Sequence, residues 1–153
     1  MRPLKLSFES FNSYANKTSI DFEDFNSNGI FLITGPTGSG KTTIFDAIKY
    51  ALYGEASGED RKNISNFNFS DFANPGAQST VTFEFLHRGV KYRIERTSSY
   101  QVSKKNKTPE TDKKTPDKKT TVNFYQLIDG EEKLLASNAT KVNDCLLYTS
   151  PSP

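Results

Sequence analysis

The sequence predicts an α/β fold in which a mainly antiparallel sheet surrounds one phosphate-loop strand and its helix. Three observations carry that expectation. Residues 30–43, IFLITGPTGSGKTT, join a short apolar run to a glycine-rich loop and then to a helical pattern. Residues 80–86 and 90–96 alternate apolar and polar side chains on either side of Arg88-Gly89, the pattern of two half-buried strands joined by a tight turn. Residues 4–11 and 18–22 repeat that design near the N-terminus, with 12–17 between them.

Taken in order, the N-terminal hairpin comes first and the phosphate-loop strand second. Residues 29–34 read as a buried parallel strand, because Ile30, Phe31, Leu32 and Ile33 form a continuous apolar run. After the loop, Ile44, Ala47, Ile48, Ala51 and Leu52 recur at the spacing of one helix face, and Gly54 ends the pattern. Residues 55–76 are polar and irregular, with Phe67, Phe69 and Phe72 as expected anchors. The hairpin around Arg88-Gly89 follows, and its neighbour His87 is expected at an exposed hairpin end rather than in a catalytic role. Residues 122–128 and 133–135 then flank the Asp129-Gly130 turn.

The loop fits G-x-x-x-x-G-K-[ST] with Gly35, Gly40, Lys41 and Thr42 at the required spacing. Gly35, Gly38 and Gly40 permit backbone conformations in which successive N–H groups converge on an anion. The helix start adds a partial positive charge and unpaired N–H groups. Pro36 stiffens the turn without donating, and Thr37 and Ser39 complete the loop. Lys41 is expected to reach the β- and γ-phosphates of ATP, the Thr42 hydroxyl to ligate Mg²⁺, and Thr43 to bond the α-phosphate.

The remaining composition narrows the class. The chain has 153 residues, 34% hydrophobic and 25% charged, which suits one globular domain. No apolar run approaches the ~18 residues of a membrane span. The first residues, MRPLKLSFESF, contain no secretory core. One cysteine, Cys145, excludes an internal disulfide. The expected compartment is the cytoplasm. Net charge is +2, yet residues 103–120 carry seven lysines against three acids. That stretch reads as a flexible, solvated, lysine-rich insertion, with a nucleic-acid backbone contact as its alternative. The paired acids Glu23-Asp24, Glu59-Asp60 and Glu131-Glu132 read as solvated loop charges. The last nine residues, CLLYTSPSP, differ in character from the rest. They resemble translated sequencing-adapter read-through, so the expected domain is 1–144 and 145–153 a non-native tail; a genuine proline-rich tail is the alternative.

Hydrolysis needs more than a phosphate loop: carboxylates that position Mg²⁺ and water, usually at the end of an apolar strand. Residues 124–129 come nearest, but Gln126 interrupts them. No catalytic residue is therefore assigned.

The segments FNSY (11–14), ITGPTGSGKTTIFDAIKYALYGEASG and VTFEFLHRGVKYRIER resemble the N-terminal lobe of SbcC, a P-loop NTPase of the SMC-like branch of the ABC ATPases. The resemblance runs over 1–144. It implies an ABC ATPase N-lobe that, in the whole protein, hydrolyses ATP to control a DNA-end-processing nuclease in double-strand-break repair. The glutamine loop, coiled coil, signature motif and Asp-Glu strand would follow downstream. The implied partners are an SbcD-type nuclease, DNA and a second ATPase head. Asn12 and Ser13 occupy positions where relatives contact nucleotide, although Asn12 stands where a basic residue is common. Two other readings are an ABC-transporter nucleotide-binding subunit and a nucleotide-binding module without ATPase activity.

Overall fold

The computed structural model describes residues 1–25, 32–55, 69–74, 77–101 and 117–149. Its strands are β1 (Arg2–Glu9), β2 (Thr18–Asp21), β3 (Ser79–His87), β4 (Val90–Gln101), β5 (Asp117–Ile128) and β6 (Glu131–Ala136), and its helices are α1 (Lys41–Tyr53) and α2 (Ala139–Thr149). They form a six-stranded sheet in the order β2-β1-β3-β4-β5-β6. Every pairing among the described residues is antiparallel.

Alternation decides which face is covered. Leu4, Leu6 and Phe8 of β1, Val81, Phe83 and Phe85 of β3, Ile94 of β4, and Val122 and Phe124 of β5 are buried. Phe85 stacks with Phe83, Tyr92 and Phe124, so aromatic rings run across β3, β4 and β5 without a polar break. Helix α1 packs against β3 and β4, and α2 against β5 and β6. The two expected turns have φ of 50° and 78° at Arg88 and Gly89, and 50° and 86° at Asp129 and Gly130. Positive φ at both central residues matches the right-handed twist of the strands they join.

The structure departs from the sequence reading at several places. Residues 32–36 join no strand, and Leu32 is 85% exposed; 29–31 lie outside the described residues. A parallel strand needs a neighbour with a matching hydrogen-bond row, and among the described residues 32–36 join neither edge of the sheet, at β2 or at β6. Phe72 is 77% exposed and anchors nothing, Phe69 is partly buried, and Phe67 is outside the described residues. The tie is instead polar: the Ser70 N–H donates to the Ser10 carbonyl at 3.0 Å.

His87 is buried, not exposed, because it shares the inward parity of Phe83 and Phe85 along β3. Residues 117–120 belong to β5 and pair with 98–101 of β4, so the insertion is shorter than its composition indicates; 102–116 lie outside the described residues. Glu131 and Glu132 open β6 rather than a loop, and Glu132 accepts an ion-paired hydrogen bond from Arg93, which also holds Glu84 at 2.8 Å. Glu23 and Asp24 lie in an exposed 3₁₀ turn, while Glu59 and Asp60 are outside the described residues. Helix α2 has no counterpart in the sequence reading. The Asn138 carboxamide oxygen accepts from the Lys141 N–H at 2.8 Å at its start, and Val142 and Leu146, four residues apart, reach the core.

Candidate phosphate-binding site

Helix α1 begins at Gly40, whose φ of 86° and ψ of 12° are left-handed, and no side chain caps it. A helix start carries unpaired N–H groups that a capping oxygen normally satisfies. Here no side chain accepts from them. Gly38 is also left-handed, with φ of 84°, and two left-handed glycines so close together bend the backbone into a concave run of N–H groups. The loop is exposed from Gly35 through Ser39. Its own bonds are few: the Ser39 N–H donates to the Pro36 carbonyl at 3.2 Å and the Thr43 N–H to that of Gly40 at 3.0 Å.

Lys41 lies across this loop. Its ammonium donates to the carbonyls of Gly35 at 2.7 Å and Pro36 at 2.6 Å, and to Ser39 Oγ at 3.4 Å. All three ammonium donors are thus turned to loop oxygens, and a phosphate would have to take the place of one of these acceptors to bond Lys41 directly. Thr42 is exposed, so its hydroxyl is available to a hard cation. Thr43 is buried, and its hydroxyl faces Ser13 Oγ at 3.5 Å rather than the open loop. Thr37 is exposed on the loop's outer turn.

The structure brings the other two expected residues to the same place. Asn12 and Ser13 form a two-residue turn between Phe11 and Tyr14, which exchange backbone hydrogen bonds at 2.9 Å in both directions. Asn12 adopts φ of 49°, a conformation that asparagine tolerates better than most side chains. Ser13 donates to Asn12 Oδ1 at 3.4 Å. The turn therefore abuts the first turn of α1.

Three supporting residues carried no sequence signal. Tyr14 packs its ring against Gly40. Tyr50 is buried, its hydroxyl 2.6 Å from Ser98 Oγ, and Ser98 in turn is 3.0 Å from Thr120 Oγ1; burial raises the Tyr50 pKa above the ordinary tyrosine value. Arg96 of β4 is 2% exposed and donates to the carbonyls of Ala51 at 2.7 Å and Leu52 at 3.0 Å. Its charge closes the C-terminal, partially negative end of α1 while the phosphate loop opens the other. Burial lowers the Arg96 pKa below the ordinary arginine value.

A family model described as an AAA domain matches residues 5–144. The chain belongs to the AAA domain family. This AAA domain is 47% identical over 109 residues to the SbcC component of the SbcCD nuclease of Staphylococcus saprophyticus, covering 71% of the chain and 10% of the relative. It is 42% identical over 105 residues to the component of the same name from Vibrio cholerae, covering 69% and 10%. With that of Staphylococcus aureus it shares 37% over 137 residues, covering 90% and 12%. The chain thus spans about a tenth of the length of the curated relatives it matches. Among solved structures, the SMC head domain from Thermotoga maritima superposes with a TM-score of 0.51 at 20% identity, over 95% of this chain and 42% of that one, which bears on the fold alone. These similarities support an SbcC-like P-loop ATPase segment and do not favour the transporter reading. Among the described residues, no helix is long and apolar enough to cross a membrane.

Proposed function

We propose that this AAA domain is the ATP-binding N-terminal half of an ABC-type ATPase head. In the whole protein, that head hydrolyses ATP to control a nuclease that processes DNA ends in double-strand-break repair. The observation that carries the reading is the uncapped start of α1, entered through two left-handed glycines, with the Lys41 ammonium folded back onto the loop carbonyls of Gly35 and Pro36. Gly35, Pro36, Thr37, Gly38, Ser39 and Gly40 form the cradle, Lys41 neutralises phosphate charge, and Thr42 ligates Mg²⁺. Thr43, Asn12 and Ser13 form the adjoining wall. Bound Mg²⁺ would supply charge neutralisation at the phosphates.

The functional unit is read as residues 1–144, and α2 carries the chain past that boundary to Thr149 with Leu146 packed in the core, so the segment after 144 adjoins the unit rather than standing apart from it. The partners follow the similarity to SbcC: an SbcD-type nuclease, DNA and a second copy of the head, in the cytoplasm. No strand among the described residues ends in paired carboxylates, and the reading assigns water activation to the rest of the protein on the similarity to SbcC.

The test is direct. Lys41→Ala removes a charge-assisted phosphate contact of about 1.5–3 kcal/mol, which is about ten- to a hundredfold in affinity for Mg·ATP. Titration with a fluorescent ATP analogue reads it, and an unchanged Kd would refute the nucleotide-site assignment.

A further inference from the structure

Gly40 is crowded from outside the loop. A methyl group built on it would lie 2.7 Å from Tyr14 Cε2, 2.9 Å from the Tyr14 hydroxyl oxygen and 3.0 Å from Cζ. Real Cβ atoms do not approach so closely. Glycine is therefore required at this position twice over, once by φ of 86° and once by the ring. The ring itself is held from several sides. Tyr14 is backbone-paired to Phe11 in both directions, and its ring meets that of Phe8 edge-on at a centroid distance of 4.9 Å and 73°. Phe8 and Phe11 are fully enclosed in the core. With Ser13 against Thr43, the β1–β2 turn touches the first turn of α1 at two points.

We propose that Tyr14 is a positioning residue for the phosphate loop. Its ring is a fixed stop that holds Gly40, and hence the N–H groups beginning α1, in the orientation where they converge on an anion. An unrestrained glycine explores both signs of φ, and the ordering it then undergoes on binding weakens affinity. The stop removes that freedom before ligand arrives. The ring carbon Cε2 makes the nearest approach, so phenylalanine is expected to keep most of the stop. The inference rests on the nucleotide reading of the loop.

The experiment compares Tyr14→Ala, Tyr14→Phe and a core control, Phe83→Leu, in the 153-residue chain at a temperature where melting curves show all to be folded. Titration with a fluorescent ATP analogue and Mg²⁺ is expected to give Tyr14→Phe an affinity within about twofold of the unaltered chain. Tyr14→Ala should bind about tenfold more weakly, because the loop must then be ordered on binding. Phe83→Leu should keep its affinity. In parallel, amide hydrogen exchange without nucleotide should accelerate at residues 40–43 in Tyr14→Ala alone. Unchanged affinity and exchange in Tyr14→Ala overturn the proposal, as does an equal loss in Phe83→Leu, which would reduce the effect to general stability. Failure of the unaltered chain to bind nucleotide through Lys41 refutes the nucleotide reading instead, and the exchange arm still decides whether Tyr14 restrains the loop.

Discussion

Arg96 carries a buried charge whose compensation is a helix end. Removing a guanidinium from water is costly unless its donors are satisfied, and here Nε and Nη2 meet the last free carbonyls of α1. Arg96→Met keeps much of the volume and loses both bonds, leaving two buried acceptors unpaired. The expected destabilisation is about 2 kcal/mol, within the range for hydrogen bonds to charged groups, measured by urea denaturation. Wild-type stability in that variant would show that desolvation cancels the contact. His87 makes a second residue-scale case. Its Nε2 is buried without a partner among the described residues. Burial first, then the N-terminal amine and Arg88, lowers its pKa from 6.5. The unfolded chain therefore binds the proton more readily, so stability is whole above pH 6.5 and falls as pH drops through the lowered folded value. Melting temperatures between about pH 7.5 and 5 should decline less in His87→Gln than in the unaltered chain; parallel declines would exclude His87 as the cause.

At the scale of elements, the connection between β4 and β5 separates composition from backbone pairing. Residues 104–116 contain no apolar side chain other than Pro109 and Pro116, whereas 117–120 complete the ladder with 98–101, and the Thr120 hydroxyl lies 3.0 Å from that of Ser98. Replacing 104–116 with a short glycine-serine link should preserve cooperative melting, since shortening a loop changes closure entropy only slowly. Extending the deletion through Lys119 removes three ladder positions and should lower the melting temperature. A loss of cooperativity in the shorter deletion would show that the segment is structural. The same contrast explains what could be read from sequence. The hairpins at Arg88-Gly89 and Asp129-Gly130 were legible because turn chemistry and period-two alternation agree locally. So were the α1 face and its Gly54 stop, and the loop residues themselves. Strand extension through 117–120 depends on a partner strand, which lysines and threonines do not announce. The burial of His87 follows from parity along β3, but a turn next to it outweighs parity in a local reading. Tyr14 and Arg96 act on Gly40 and on the end of α1 across about 26 and 44 positions of sequence, respectively, and no spacing rule spans that gap.

The molecule as a whole carries the glycine-rich loop beside a sheet that the described part of its approach segment does not join. Leu32 stands 85% exposed where a central strand was expected, and Phe45 and Tyr53 of α1 are 58% and 50% exposed. The chain spans about a tenth of the length of the SbcC relatives it matches. Catalysis follows the same division. Binding needs N–H groups and a cation, which a helix start and Lys41 provide; cleavage needs a positioned water as well, and the carboxylates for it have no candidate in this sequence. The isolated 153-residue chain is therefore expected to bind Mg·ATP through Lys41 and to show no Lys41-dependent phosphate release. The full-length protein should release phosphate and lose that activity in Lys41→Ala. A coupled phosphate assay on both distinguishes the outcomes: turnover by the isolated chain that Lys41→Ala abolishes would mean that the water-activating group is already within these residues.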